Sequence, residues 1–150
     1  MDYGLYNANG VIGSKLRAAG FKTVTFGSPS DANLNANSIM PIAHMTLDSS
    51  TNGIATQQYN YRVLVADLPD TNNISPRDVL NALTLSDNKE DILHDLAERV
   101  NVVKKSLAKD LDVVESSEEL TLSVVMSETK DGLIGYTFEL SITIESAGIC

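Results

Sequence analysis

The strongest periodicity in the chain lies between Glu119 and Ile144. Leu120, Leu122, Val124 and Met126 alternate with Thr121, Ser123, Val125 and Ser127, the two-residue period of a half-buried strand. After Thr129-Lys130-Asp131-Gly132 the alternation resumes through Ile134, Tyr136, Phe138, Leu140, Ile142 and Ile144. An Asp-Gly pair between two such runs predicts a hairpin with a tight turn. At about 3.4 Å per residue the second strand reaches about 40 Å, the width of a compact domain of this size. Its other face, Gly135, Thr137, Glu139, Ser141 and Thr143, is polar and nearly uncharged. One side of this hairpin is therefore expected to pack on a core and the other to meet water or a partner.

Ahead of the hairpin the period changes several times. Ile12, Leu16 and Ala19 recur at helical spacing, which predicts a short helix from Asn9, as cap, to Gly20, as terminator. Val24 and Phe26 stand among threonines in a short strand over 21–27, followed by a surface loop through Ser28-Pro29-Ser30-Asp31 and on to Ser38. The segment 39–47 reads as a strand entered through Pro41, and Asp48 to Gly53 as a polar loop. Ala55 to Leu68 sets Tyr59, Tyr61, Val63 and Val65 against Gln58, Asn60 and Arg62, a second long strand. Ser75-Pro76, with Asp78 placed for a capping box, opens a short helix to about Leu83.

The main helix is predicted from about Asn88 to Lys109. Ile92, Leu96, Val100, Val103 and Leu107 form its apolar stripe. Glu90, Asp91, Asp95 and Glu98 crowd its first half and Lys104, Lys105 and Lys109 its end, a distribution that matches the helix dipole. Asp110 to Glu119 connects it to the hairpin. The resulting fold class is α+β, a two-layer arrangement with a mostly antiparallel sheet and with one long helix and shorter helices packed on one face. With 150 residues, 43% of them apolar, a single domain over 1–150 can bury a real core without metals or disulfides.

Charge and cysteine usage narrow the function classes. Asp and Glu number 20 against 11 Lys and Arg, and the net charge of -9 is spread over the whole chain, which argues against direct affinity for nucleic acid phosphates. Solubility is the simplest reading of that charge. Cys150 is the only cysteine, so no internal disulfide can form and a reducing compartment suits the chain. No run approaches the roughly 20 apolar residues of a membrane span, and Met1-Asp2-Tyr3-Gly4 lacks the features of a signal peptide, so a soluble, non-exported protein is expected.

Local chemistry is sparse. Gly10-Val11-Ile12-Gly13-Ser14-Lys15 imitates a dinucleotide-binding turn, but no apolar strand precedes it to deliver the glycines to a helix N-terminus, and it is too short for a P-loop. His44 and His94 lack a second His or Cys at ligand spacing. No serine stands in a Gly-x-Ser-x-Gly elbow. The expectation is a protein that is not an enzyme and takes no cofactor or metal.

Four places, taken in order, carry a family resemblance: Met40-Pro41-Ile42-Ala43-His44-Met45, Tyr59 to Leu68, the helix opening Asp91-Ile92-Leu93-His94-Asp95-Leu96, and the closing hairpin through Gly132 to Leu140. In their order and spacing the chain resembles the small tail-terminator or neck proteins of tailed bacteriophages. The Pro76 to Leu83 helix departs from that pattern, as does an N-terminal segment short in apolar residues. The resemblance implies a structural virion protein, made in the host cytoplasm, that forms a homo-oligomeric ring at the end of the tail or in the neck. Its partners would be further copies of itself, the tail tube protein and a head connector or other neck protein, with DNA passing through a central channel unbound. Contacts would fall on the loops 28–38 and 48–57, at Asp31, Asn33, Asn35, Thr51, Asn52 and Gln57, and on the polar face at Thr137, Ser141 and Thr143. The alternative is a monomeric α+β domain that binds a small ligand or a host protein between the long helix and the sheet.

Overall fold

A computed structural model describes residues 4–27, 40–68, 89–126 and 133–145. Within them the elements are α1 (Gly4–Ala18), β1 (Thr23–Phe26), β2 (Ile42–Asn52), β3 (Thr56–Asp67), α2 (Lys89–Lys109), β4 (Val113–Ser116), β5 (Ser123–Met126) and β6 (Ile134–Glu145). The strands form one sheet in the order β1-β2-β3-β6-β4, with β5 also on β6. Only β1 and β2 run parallel; the other pairs are antiparallel. The α+β class with helices on a mostly antiparallel sheet is therefore as expected. The short helix over 76–83, the loop 28–38, the turn 129–132 and Cys150 lie outside the described residues.

The centre of the sheet is the β3–β6 pair. Each strand has 12 residues and the register runs unbroken from Thr56↔Glu145 to Asp67↔Ile134. That register puts Tyr61 opposite Leu140, Val63 opposite Phe138 and Val65 opposite Tyr136. On β2, Ala43, Met45 and Leu47 continue the same rows beside Val65, Val63 and Tyr61. A single apolar face results because alternate side chains of paired strands share one side of the pleat.

Both helices cover this face. The α2 stripe of Ile92, Leu96, Val100, Val103 and Leu107 is buried, and with Ala8, Ile12 and Leu16 of α1 it joins the strand residues in one core cluster. Truncating a fully buried member such as Leu96 to alanine costs about 2–5 kcal/mol by the usual range for leucine. α1 starts earlier than predicted, because Leu5 and Ala8 extend the stripe N-terminally. Asn9 is consequently inside the helix and not its cap. Its Oδ1 accepts a 2.6 Å hydrogen bond from the Tyr61 hydroxyl, the partner that a fully buried phenol needs. Burial first, and the neighbouring Tyr59 second, push the Tyr61 phenol well above its ordinary pKa.

α1 ends as predicted at Gly20. Phe21 N–H donates to the Leu16 carbonyl at 3.2 Å and Gly20 N–H to that of Arg17 at 3.0 Å, the paired bonds of a Schellman cap. Gly20 sits at φ 103°, where a side chain is strained. Arg99 of α2 donates to the Ala19 carbonyl at 2.9 Å, and its Nε to Asp95 at 2.8 Å. The guanidinium thus places positive charge at the negative end of the α1 dipole and ties the two helices together.

Three predicted elements change. The stretch Asp48 to Gly53 is not a loop: β2 continues through Asn52, absorbs Asp48 as a bulge between Leu47 and Ser49, and turns only at 53–55. Cross-strand pairing of Ser49, Ser50 and Thr51 with Asn60, Tyr59 and Gln58 outweighs their polarity. β4 is an additional strand, in the stretch read as a connector. The first arm of the closing hairpin is short, because six residues, 117–122, stand opposite four of β6, 138–141, and break the register. Leu120 and Leu122 still pack against the core, but Val124 and Val125 are exposed at the sheet edge.

Gly135 fixes how closely β3 and β6 approach. A Cβ there would lie 1.8 Å from the Val65 carbonyl oxygen and 2.7 Å from Ala66 Cα, backbone that cannot move without disturbing the central pair. Gly135→Ala is expected to lower the urea midpoint by the equivalent of about 1–3 kcal/mol or more with an unchanged m-value. A variant as stable as the parent would show that this approach is not fixed.

Candidate assembly surface

The register that builds the core face also defines the opposite one, as five rows across β2, β3 and β6. These are Ile42–Ala66–Gly135, His44–Leu64–Thr137, Thr46–Arg62–Glu139, Ser49–Asn60–Ser141 and Thr51–Gln58–Thr143. The face is not uniform. Ile42, His44, Ala66 and Gly135 are buried, so the sheet is covered on both sides at that end, and the expected one-sidedness holds only toward the β2–β3 turn. In the buried half, Thr25 Oγ1 and His44 Nδ1 are 2.6 Å apart.

In the open half the side chains bond to one another. Asn60 Nδ2 donates to Ser49 Oγ at 2.8 Å, and Ser141 Oγ bonds to Asn60 Oδ1. Ser141 N–H donates to Ser117 Oγ at 2.9 Å, and Ser117 N–H to the Ser141 carbonyl at 3.0 Å. A polar ladder therefore runs from β2 through β3 and β6 to the segment after β4. Such rows hold hydroxyls and amides in fixed positions at little entropic cost, because the strands already restrict their rotamers. Arg62 faces Asp48 at 3.6 Å and pairs in register with Glu139, so its charge is flanked by acids.

This places the sequence-derived contact residues. Thr51, Ser141 and Thr143 lie together on the open face, and Thr137 lies on the same face further along β6, beside a cavity of about 370 Å³ lined with Arg62, Glu119 and Glu139. Asn52 and Gln57 pair with each other next to the turn, but Gln57 alternates to the helix side, is half-buried, and accepts a hydrogen bond from Tyr59. Asp31, Asn33 and Asn35 lie outside the described residues. Gly10 and Gly13 are inside α1 and not at its N-terminus, so they form no phosphate-binding turn. His94 contacts Glu98 at 2.9 Å on the exposed side of α2.

Sequence reasoning missed the turn residue Ile54 and a groove on the opposite flank. Ile54 is 99% exposed. The groove, about 640 Å³, lies between α1 and the α2–β4 turn. Between α2 and the sheet, by contrast, Leu96, Val100, Val103 and Leu107 join Phe138 and Leu140 in the buried core. The groove floor is braced by Lys15 Nζ and Asp110 Oδ2 at 2.9 Å, and Asp110 Oδ1 also accepts from the Asp112 N–H at 2.8 Å. No spacing rule connects Lys15 to Asp110; only the fold brings them together.

The Lys15 bond, reinforced by the Asp112 amide, holds the Asp110 carboxyl below its ordinary value of 3.8. A depressed folded-state value contributes stability that is present above that ordinary value and is lost as pH falls through the folded one. Lys15→Met is expected to lower stability at neutral pH by at most about 1 kcal/mol and to flatten the decline below about pH 4. Denaturation midpoints across that range check it; parallel pH profiles for variant and parent would contradict it.

The chain matches none of the protein-family models and none of the curated proteins with which it was compared.

Proposed function

We propose that this chain is a structural, non-enzymatic ring subunit of a bacteriophage tail, of the tail-terminator or neck kind, acting at the head-proximal end of the tail. The observation that carries the reading is the long, hydrogen-bonded polar face of β2, β3 and β6, which continues into an exposed β2–β3 turn. A closed ring needs two different patches on each subunit. This sheet has a rigid open face and a projecting turn on one side and exposed apolar residues on the β4–β5 edge on the other.

The charge pattern supports a channel role. On the open half of the outer face the one arginine, Arg62, is flanked by Asp48 and Glu139. Phosphates entering such a surface find no cluster of cations, so DNA slides without being held. The partners are further copies of this chain, the tail tube protein and a head connector or other neck protein; the place of action is the virion, after assembly in the host cytoplasm.

Native mass spectrometry of the purified protein, alone and with its tube partner, is expected to give a closed oligomer of one stoichiometry. Monomers at every concentration, with no partner complex, would sink the proposal.

A further inference from the structure

The two edges of the sheet differ in charge. Among the described residues, β1 forms one edge and pairs with β2 alone, while β5 belongs to the other and pairs with β6 alone. The segment from Gly4 to Gly27, which ends in β1, contains Lys15, Arg17 and Lys22 and no acid. The segment from Asp110 to Met126, which ends in β5, contains Asp110, Asp112, Glu115, Glu118 and Glu119 and no base. Lys15 and Asp110 pair with each other, but Arg17, Lys22, Glu118 and Glu119 are exposed. Charges of the other sign approach both edges. Asp48, further along β2, faces Arg62, and Lys104 and Arg62 line cavities beside residues 119–123. The surplus is nonetheless basic at β1 and acidic at β5, an arrangement that favours contact between unlike edges of two copies.

The pairings also set the two edge strands at one level. Val24 pairs with Ala43, Ala43 with Val65, Val65 with Tyr136 and Tyr136 with Val124, a row that crosses the whole sheet on its helix side. The next row runs from Thr25 through His44, Leu64 and Thr137 to Ser123 on the outer side. Each row therefore ends in like residues, two valines in one and two hydroxyls in the other. β1 is parallel to β2, and three antiparallel pairings lead from β2 to β5, so β1 and β5 point in opposite directions. Both have four residues.

Copies related by rotation about an axis along the strands keep these directions. β5 of one copy then meets β1 of the next antiparallel, and each row continues on its own face. Thr23 N–H donates to the Pro41 carbonyl and Gly27 N–H to that of Met45, so by alternation the amides of Val24 and Phe26 face away from β2. Val124 is 53% exposed and Phe26 44%, which adds apolar side chains to both edges. Edge strands with outward-facing backbone groups are templates for pairing with another chain.

We propose that copies of this chain join edge to edge, β5 of one pairing antiparallel with β1 of the next and Val124 lying opposite Val24, so that one sheet continues around the ring. The proposal rests on the reading of this chain as a ring subunit and names the lateral contact that the reading requires.

Charge reversal tests the contact at exposed positions. One variant carries Arg17→Glu and Lys22→Glu, the other Glu118→Lys and Glu119→Lys, with circular dichroism as the check on folding. Native mass spectrometry is run under the conditions in which the parent protein assembles. Each variant alone is expected to be monomeric, because its two edges then carry the same sign. An equimolar mixture is expected to regain oligomers that contain both variants, since each edge again meets its opposite. A third protein, with Val24→Cys, Val124→Cys and Cys150→Ser, is expected to give a ladder of covalent oligomers on mild oxidation, which neither single cysteine change can extend beyond a dimer.

Reversed variants that assemble like the parent, a mixture that stays monomeric, or a double-cysteine protein without the ladder would overturn this contact and leave the ring reading standing. A parent protein that remains monomeric up to about 1 mM, with and without its tube partner, would overturn both.

Discussion

The antiparallel register between β3 and β6 is the constraint on which the rest of the molecule depends. Because it runs without a break from Thr56↔Glu145 to Asp67↔Ile134, every side chain of both strands is assigned to one face. A slip of β3 by one residue against β6 would turn Tyr61, Val63 and Val65 outward and bring Asn60, Arg62 and Leu64 onto the core. Gly135 sharpens the constraint, since its missing side chain lets β6 approach the β3 backbone where Cβ atoms would collide. The core and the polar ladder are thus two consequences of one alignment.

The helices are positioned on that sheet by apolar stripes and held to each other by polar ties. Stripes alone leave rotation and sliding weakly specified, because many leucine and valine arrangements fill similar volume. Tyr61 to Asn9, Arg99 to the Ala19 carbonyl and Lys15 to Asp110 each connect α1 to a different element and remove that freedom. Two of them also satisfy groups that would be costly if left unpaired, a buried phenol and a carbonyl at a helix end. The groove between α1 and the α2–β4 turn exists because these ties fix the helix at a set distance from that turn.

Sequence periodicity revealed the strongly patterned elements. α2 and β3 lie within a residue or two of their expected bounds, because five buried residues at helical spacing and four at strand spacing admit no other period. Gly20 was legible as a helix terminator for the same reason, one residue type suiting one backbone conformation. The expectation fails where polarity does not mean irregularity. Ser49, Ser50 and Thr51 are as polar as any loop, yet they continue β2 because β3 beside them supplies a full set of partners. Val113 and Val114, set between acids, looked like a connector and form an edge strand. Of the candidate surface, Ser141 and Thr143 were legible from alternation alone. Ile54 and Lys15–Asp110 were not, since one is a lone apolar residue in a polar stretch and the other joins positions that only the tertiary fold makes neighbours.

On the proposed reading the central β3–β6 pair stays rigid while the open polar face and the β2–β3 turn meet a second copy, and amide hydrogen exchange followed by mass spectrometry reads both at once. Amides of 59–65 and 136–142 are expected to exchange slowest whether the protein is assembled or dispersed, because they belong to the central pair. If copies associate as proposed, exchange is expected to slow over 49–58, with little change on the helices. Exchange rates over 49–58 that are identical in the assembled and dispersed protein would contradict the account.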